Sequence, residues 1–336
     1  MHDYLNRLTS RESLESSEME EIFSSMVAGE LEPVHIAALL VGLRTKGETP
    51  EEIAGAAKAL RHHALPFPAP TGTFVDVCGT GGDSSGTINI STAAAIVLAE
   101  MGVPVAKHGN RSVSSKCGSA DLLEAFGIKI DPEPEVARKC LDEVGICFLF
   151  APQYHGGLRH AMPVRKALKM RTIFNILGPL ANPAQPPVQL MGVYDPALIV
   201  PIAKTLSRLG ARRSLVVHGS GLDEISISAS TLAAMSNNGT VEEIEIHPED
   251  AGLERYPKEA LAGGDADENR KLIDDLLSGK GTPAHEAAVA INAGAAAWVA
   301  GTAGSLREGT QQALEVIRSG KSIERVKRWV EISHEA

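Results

Sequence analysis

The sequence contains few cysteines and no long apolar segment. Its four cysteines, Cys78, Cys117, Cys140 and Cys147, form no CxxC pair in 336 residues. This spacing argues against a disulfide scaffold and favours buried thiols in a reducing compartment. No stretch of about 18 uncharged apolar residues is present, so we expect no membrane-spanning helix. The first residues carry acids and lack the apolar core of a secretory signal, and we therefore expect a cytoplasmic protein.

Positive charge is also in short supply. Lys and Arg total 32 against 42 Asp and Glu, which gives a formal net charge of −10. Sequence-independent binding to nucleic acid depends on clustered positive charge, so we expect no nucleic-acid partner. The 32 glycines follow no period, which excludes a collagen-like chain. With 43% hydrophobic residues the chain can bury a large core, and its length suggests two domains.

The pattern of apolar residues changes after about residue 70. Before that point the signals are helical, as where Ile36, Leu39, Leu40 and Leu43 recur at helical spacing. Three prolines between residues 65 and 70 then indicate a linker. Short apolar segments alternate with helices after the linker, which indicates a parallel sheet covered on both faces. Strands are predicted at residues 74–78, 103–106, 146–150, 190–194 and 214–218, with a hairpin strand at 241–246.

A glycine-rich loop follows the first predicted strand. It runs from Gly79-Thr80-Gly81-Gly82-Asp83 to Asn89-Ile90-Ser91-Thr92, where a helix is predicted to begin. Free N–H groups and the helix dipole favour phosphate at such a turn. Ser84 replaces the third glycine of the dinucleotide fingerprint, and no Lys gives a Walker loop. An ordinary glycine turn remains the alternative, but Asp83 beside an anion site suggests contact with sugar hydroxyls or with metal-bound water.

Residues 107–116, the basic loop, carry three cations and no acid. Lys107, Arg111 and Lys116 are interleaved with serines and an asparagine directly after the second predicted strand. Open α/β sheets bind ligands at the carboxyl ends of their strands. The composition therefore favours an anion-binding loop over a solvated basic loop.

Two further features of the sequence concern charge. No Asp or Glu occurs from Val144 to Tyr194, a segment that contains Arg159, Arg165, Lys166, Lys169 and Arg171. This local positive charge suits an anionic substrate or, alternatively, an acidic partner surface. His155 and His160 lie in the same segment, where either a structural or a catalytic role is open.

An adjacent pair of acids follows the predicted strand at residues 214–218. Asp223-Glu224 is oxygen-rich, as Mg²⁺ sites are, although a solvated helix start has the same appearance.

Together these motifs resemble the anthranilate phosphoribosyltransferases, in order and over nearly the whole chain. The matching segments are Gly79-Thr80-Gly81-Gly82-Asp83, Asn89-Ile90-Ser91-Thr92, Lys107-His108-Gly109-Asn110-Arg111, Gly118-Ser119-Ala120-Asp121, Pro163-Val164-Arg165-Lys166, residues 171–183 and Leu222-Asp223-Glu224. The resemblance implies transfer of the phosphoribosyl group of 5-phosphoribosyl 1-pyrophosphate (PRPP) to the amino nitrogen of anthranilate in tryptophan biosynthesis. The products would be N-(5-phosphoribosyl)anthranilate and pyrophosphate.

The resemblance also implies an architecture. A small all-helical domain would comprise residues 1–70, rejoined by helices from about residues 160–182. A larger α/β domain, with a mostly parallel central sheet flanked by helices, would comprise residues 71–158 and 183–336. Two copies would pair through the helical domain.

Site residues follow from the resemblance at the matching positions. Donor binding is implied for Gly79, Gly82, Asp83, Thr87, Asn89, Ile90, Ser91, Thr92, Lys107, His108, Gly109, Asn110, Arg111, Ser112, Val113, Ser114, Ser115 and Ser119. Acceptor binding is implied for Gly79, Asn110, His155 and Arg165, and Mg²⁺ binding for Ser91, Asp223 and Glu224. The aniline nitrogen is already neutral at pH 7, so no residue is expected to act as acid or base. Catalysis would be electrostatic and positional, through Asp83, Lys107 and Arg165.

One segment departs from the family pattern. His155-Gly156-Gly157-Leu158-Arg159 stands where the family often has His-Pro-Ala-Met followed by Lys or Arg. The two glycines put in doubt the rigidity of this segment, which lines the acceptor side, and its selectivity for the acceptor. Two other readings stay open, a nucleoside phosphorylase of similar architecture and a non-catalytic relative that binds nucleic acid. The basic loop argues against the first, and Asp223-Glu224 with the negative net charge argues against the second.

Overall fold

The structure, a computed structural model, describes residues 1–82, 85–112 and 116–335. Its α-helices are α1 (His2–Thr9), α2 (Ser16–Ala28), α3 (Pro33–Lys46), α4 (Pro50–His62), α5 (Ile90–Glu100), α6 (Ser119–Ala125), α7 (Pro134–Val144), α8 (Ala151–Tyr154), α9 (Met162–Leu168), α10 (Phe174–Leu180), α11 (Ile199–Arg208), α12 (Ala266–Leu277), α13 (Pro283–Ala300), α14 (Leu306–Ser319) and α15 (Ser322–Ser333). The strands are β1 (Val75–Gly79), β2 (Val105–Gly109), β3 (Ile146–Phe150), β4 (Val188–Gly192), β5 (Arg213–His218), β6 (Thr231–Asn237) and β7 (Thr240–Ile246).

The N-terminal helices form a bundle with clear start signals. Thr49 caps α4 by accepting from the Glu52 N–H, and Pro50 occupies the first helical position. Helices α2 and α4 pack together, and α1 packs on α3. The apolar stripe of α3 predicted from the sequence is buried in this bundle.

The strands form one sheet in the order β3-β2-β1-β4-β5-β6-β7 among the described residues. Pairing is parallel from β3 to β5, and the β6–β7 hairpin extends the sheet antiparallel. Strands β1, β2 and β3 follow one another toward one edge of the sheet, and the strands from β4 onward follow one another toward the other edge. The order of the strands therefore reverses between β1 and β4. Ligands of open α/β sheets bind at this kind of reversal, beyond the carboxyl ends of the strands.

Helices cover both faces of the sheet. One face packs against α5, α7 and α13, and the other against α10 and α11. Two hydrophobic cores lie on the two faces of the sheet. Along β4, Leu190 packs in the core that contains α5 and α13, and the next residue, Met191, packs in the core shared with the N-terminal helices. Alternate residues of a strand point to opposite faces, so every side chain of this central strand is buried.

The segment between β3 and β4 contributes two helices that pack on the N-terminal bundle. Helix α9 contacts α3, and α10 contacts α4. The rings of Phe23 on α2 and Phe174 on α10 lie 5.9 Å apart. The core that contains these two rings also includes residues of α11 and of one face of β4 and β5.

The predicted fold class is confirmed: a helical bundle adjoins a larger α/β unit with a mostly parallel sheet. Each predicted strand overlaps an observed one. The sequence predicted no separate strand at Thr231–Asn237, because two alanines and a methionine give it little β-propensity. Within residues 1–82, 85–112 and 116–335, no helix is long and apolar enough to cross a membrane.

Candidate active site

The carboxyl ends of β1 and β4 meet at Asp223. Gly79 and Gly192 are register partners at those ends. A Cβ on Gly79 would lie 2.2 Å from Asp223 Oδ2, and a Cβ on Gly192 would lie 1.5 Å from the Asp223 carbonyl oxygen. The Gly81 N–H donates to Asp223 Oδ2 at 2.6 Å. Asp223 can occupy this place only because both strands end in glycine.

Glu224 lies at the N-terminus of α5. Its Oε1 accepts from the Ser91 N–H at 3.1 Å, where the helix dipole favours negative charge. One main-chain donor in the donor loop, residues 79–89, and one in the first turn of α5 thus hold the two acids in place. The set offers two carboxylates and the Ser91 hydroxyl, an all-oxygen combination that fits Mg²⁺. Within the described part of the chain, no group of three or more His, Cys, Asp or Glu could hold a metal.

Lys107 is a buried cation behind the donor loop. Its side chain is 2% exposed, and Nζ donates to the Val77 carbonyl at 2.5 Å and approaches Ser91 Oγ at 3.5 Å. On β1, burial raises the pKa of Asp76 to about 6, against the opposing effects of Lys107 and of the amide of Asn182. The two contacts of Nζ place the ammonium between β1 and the first turn of α5.

Arg111 and Ser112 of the basic loop, and Gly118 just beyond it, contact acids of α6. Asp121 Oδ2 accepts from the N–H groups of Ser112 and Gly118, at 3.0 and 2.8 Å. The Arg111 guanidinium pairs with Asp121 and Glu124, and these hydrogen bonds hold its pKa above the usual range. The structure therefore turns the Arg111 side chain toward α6, although the resemblance implied a donor contact.

Three of the remaining predicted donor residues, Gly109, Asn110 and Ser119, lie close together. The Ser119 hydroxyl donates to the Asn110 carbonyl at 3.2 Å, and a Cβ on Gly109 would lie 2.4 Å from Ser119 Oγ. Thr87 Oγ1 lies 3.3 Å from Ser85 Oγ. Ile90 and Thr92 are buried in the first turn of α5. Gly82 is the last described residue of the donor loop before Asp83. Asp83, Val113, Ser114 and Ser115 lie outside the described residues.

Two histidines lie on the opposite face of the sheet from Lys107. His108 Nδ1 is 3.0 Å from the Gly178 carbonyl, and its ring meets that of His155 edge-on at 5.2 Å. Burial lowers the pKa of His108 to about 3 and that of His155 to about 4. Both rings are therefore neutral near pH 7. The structure places the His108 ring against His155, the predicted acceptor-side histidine, although the resemblance implied donor binding for His108.

Arg165 is a cation with no acidic partner in the described part of the chain. It lies on α9 with its guanidinium over the Phe174 ring, 4.7 Å from the ring centroid, and 3.6 Å from Met162 Sδ. Burial lowers its pKa, and within residues 1–82, 85–112 and 116–335 no carboxylate offsets that burial. A half-buried, unpaired guanidinium is suited to a planar carboxylate.

The segment departing from the family pattern is closely packed at one glycine. A Cβ on Gly157 would lie 2.6 Å from the Val27 carbonyl at the end of α2, whereas Gly156 has no neighbour within 4 Å of its Cβ position. Leu158 packs against the core of the helical bundle. Gly157 therefore brings this segment against α2 more closely than a side chain would permit.

Arg171 was not among the predicted site residues. Its Nη2 donates to the Gly82 carbonyl at 2.5 Å, and its guanidinium lies over the Tyr194 ring at 4.0 Å. Arg171 follows α9 in the chain, so it joins the segment that carries Arg165 to the donor loop. The matching segment at residues 171–183 pointed to this position, but nothing in the sequence indicated its partners.

Comparisons with known proteins cover both parts of this architecture. The model described as "Glycosyl transferase family, helical bundle domain" matches residues 2–64. The model described as "Glycosyl transferase family, a/b domain" matches residues 71–323.

Curated relatives and solved structures agree along the full chain. Anthranilate phosphoribosyltransferase of Sorangium cellulosum is 56% identical over 335 residues, covering 100% of this chain and 96% of the relative. The crystal structure of the enzyme from Thermus thermophilus has a TM-score of 0.93 and 43% identity, covering 98% of this chain and 99% of that one. The Saccharomyces cerevisiae enzyme in complex with PRPP and Mg has a TM-score of 0.88 and 26% identity, covering 98% and 97%. This chain therefore belongs to the anthranilate phosphoribosyltransferase family.

Proposed function

We propose that this chain transfers the phosphoribosyl group of PRPP to the amino nitrogen of anthranilate, as a step of tryptophan biosynthesis. The products are N-(5-phosphoribosyl)anthranilate and pyrophosphate. The observation that carries this function is Asp223, seated on Gly79 and Gly192 where the strand order reverses, with Glu224 at the start of α5. A glycine loop, a buried lysine and paired acids at that edge are suited to a phosphorylated sugar and its metal.

The donor side is assigned to the two loops and α5. The N–H groups of the donor loop and the basic loop would bind the phosphates, as would Lys107. Asp83 is assigned to the ribose or to metal-bound water. Ser91, Asp223 and Glu224 would hold Mg²⁺, which when bound would neutralise charge on the departing pyrophosphate. The Saccharomyces cerevisiae relative in complex with PRPP and Mg supports this assignment.

The acceptor side is assigned to Arg165, Asn110, Gly79 and His155. Arg165 would face the carboxylate of anthranilate, since burial leaves its charge without a partner among the described residues. A Saccharomyces cerevisiae relative in complex with 4-fluoroanthranilate supports an acceptor of this class. His155 is buried and neutral on this side of the site and adds no charge there.

The reaction needs orientation and charge stabilisation more than proton transfer. The bond from ribose C1 to the pyrophosphate oxygen breaks, and its electron pair leaves with pyrophosphate. The nitrogen lone pair forms the new bond to C1, after which the strongly acidic nitrogen loses a proton to water. Lys107 and the donor loop stabilise the leaving group, while Arg165 orients the nucleophile.

Turnover of the purified protein tests this function. PRPP, anthranilate and Mg²⁺ are mixed with it, and anthranilate fluorescence and pyrophosphate release are followed with and without EDTA. We expect metal-dependent turnover that falls by about 100-fold or more in Asp223→Asn, because the amide cannot supply the same charge. A folded parent protein that releases no pyrophosphate under these conditions would contradict the function.

We also propose the domain division, the homodimer and the cytoplasmic location. Residues 1–70 and about 160–182 would form the helical domain, and residues 71–158 and 183–336 the α/β domain; packing of α9 on α3 and of α10 on α4 supports this.

Val34 and Val41, two turns apart on α3, are 64% and 37% exposed, which supports pairing of two copies through the helical domain. Four free cysteines support a reducing compartment. A monomeric mass in light scattering would contradict the homodimer.

A further inference from the structure

A buried asparagine that belongs to none of the predicted motifs lies behind the donor loop. Asn269, in the first turn of α12, is 1% exposed. Its Nδ2 donates to Asn89 Oδ1 at 3.0 Å, and its Oδ1 accepts from the Gly264 N–H at 3.0 Å. Both polar atoms of this amide are engaged, and one of them orients a residue assigned to donor binding.

The hydrogen bonds continue from Asn89 to the basic loop. Asn89 is the N-cap residue of α5, yet its side chain makes no capping hydrogen bond. Its Nδ2 instead donates to the carbonyl of Cys117, the residue that follows the basic loop, at 3.1 Å. Asn269, Asn89 and Cys117 thus form a chain of contacts joining α12, the donor loop and the end of the basic loop.

The main chain next to Asn269 also supports the donor loop. The Ile88 N–H donates to the Leu261 carbonyl at 2.9 Å, and the Gly263 N–H donates to the Gly86 carbonyl at 2.8 Å. A Cβ on Gly263 would lie 2.4 Å from Asn269 Oδ1 and 2.7 Å from the Thr87 carbonyl oxygen. Close approach of the two segments therefore depends on glycine at this position.

We propose that Asn269 is a positioning residue for PRPP: by fixing the amide of Asn89 it holds the donor loop and the basic loop in register. This inference rests on the proposed function. We expect the effect of Asn269 to fall mainly on the donor, since its side chain bonds to Asn89, which is assigned to donor binding, and to the Gly264 N–H.

Steady-state kinetics of four variants test the proposal: Asn269→Asp, Asn269→Ala, Asn89→Ala and the double variant Asn89→Ala/Asn269→Ala. Asn269→Asp is isosteric and keeps an oxygen for the Gly264 N–H but loses the N–H₂ that donates to Asn89. We expect it to raise the KM for PRPP by about 10-fold, with the KM for anthranilate within about 2-fold at saturating PRPP. Asn269→Ala should raise the KM for PRPP at least as much. The double variant Asn89→Ala/Asn269→Ala should match the single variant Asn89→Ala, because Asn269 acts through Asn89.

Thr205→Val is the matched control for a structural role. Thr205 is fully buried and its hydroxyl donates to the Pro201 carbonyl at 2.8 Å, on α11. We expect it to lower the melting temperature without separating the two KM values. A PRPP KM within about 2-fold of the parent in Asn269→Asp, or additive effects in the double variant, would overturn the inference. An inactive parent protein would contradict the proposed function instead.

Discussion

The two halves of the candidate active site are built in different ways. On the donor side, main-chain groups and glycines place the acids, as where Gly79 and Gly192 admit Asp223. On the acceptor side, a single cation, Arg165, lies over the ring of Phe174 with no acidic partner among the described residues. A site built from the main chain is sensitive to any added atom. A site that depends on one side chain can lose that side chain without a change in the surrounding fold.

The largest effect should come from adding one methyl group on the donor side. Gly192→Ala would place a Cβ 1.5 Å from the Asp223 carbonyl oxygen, so the acid must move. We expect kcat/KM to fall by about 1000-fold, measured by pyrophosphate release. Gly42→Ala in α3 is the control, since its Cβ would meet Leu8 at an ordinary 3.4 Å. Equal activity in the two variants would contradict the main-chain account of the donor side.

Arg165→Gln should separate the two halves. Loss of the guanidinium should raise the KM for anthranilate by about 100-fold and leave that for PRPP within about 2-fold. Lys166→Gln is the control, because Lys166 is exposed on the same helix. Steady-state kinetics with each substrate varied in turn give both values. A rise in the PRPP KM of the same size would show that Arg165 serves the donor side.

Arg171 joins the two halves, so its substitution should affect both by a smaller amount. Arg171→Lys keeps the charge but loses the planar group that lies over Tyr194. We expect kcat/KM to fall by about 5-fold with either substrate varied. An effect on one substrate alone would place Arg171 in one half only.

The smallest effect concerns the buried histidines and acidification. Burial lowers the pKa of His108 to about 3 and of His155 to about 4, from 6.5. Below pH 6.5 the unfolded chain therefore binds protons on both rings that the native state does not bind. Asp76 offsets the proton uptake of one histidine. Burial raises its pKa from 3.8 to about 6, so the native state binds a proton on Asp76 that the unfolded chain does not bind.

These three groups give a net difference of about one proton near pH 5.5, and His285, whose pKa burial also lowers, adds to it in the same sense. The free energy of unfolding should therefore fall by at least about 1.4 kcal/mol per pH unit as the pH drops from 6 to 5. In His155→Gln this slope should be smaller by about 1 kcal/mol per pH unit, because one histidine proton is no longer taken up on unfolding. Urea denaturation at both pH values measures it. An unchanged slope in the variant would contradict a neutral, buried His155.

The elements that carry the donor side could be predicted from the sequence because their signals are local. The glycine loop leads from the end of β1 to the start of α5, and the acids at residues 223–224 come shortly after β5. Parallel strands bring such segments to one edge of the sheet. The resemblance then named their roles. The assignments to individual residues stay predictions, including those for Asp83 and residues 113–115.

Contacts between distant segments could not be predicted. Gly192 ends an apolar strand and gives no signal of its contact with Asp223, and Asn269 lies 180 residues from Asn89. Arg171 lies 89 residues from the Gly82 carbonyl that it contacts. Sequence patterns report periodicity and turns within an element, whereas these contacts depend on how the elements pack.

Calorimetric binding of PRPP with Mg²⁺ is the most direct test of a separate donor half. The parent, Asp223→Asn and Arg165→Gln are titrated in the absence of anthranilate. We predict that Arg165→Gln binds PRPP within about 2-fold of the parent and that Asp223→Asn binds it at least about 10-fold more weakly. Equal weakening in both variants, or unchanged binding in Asp223→Asn, would contradict the account.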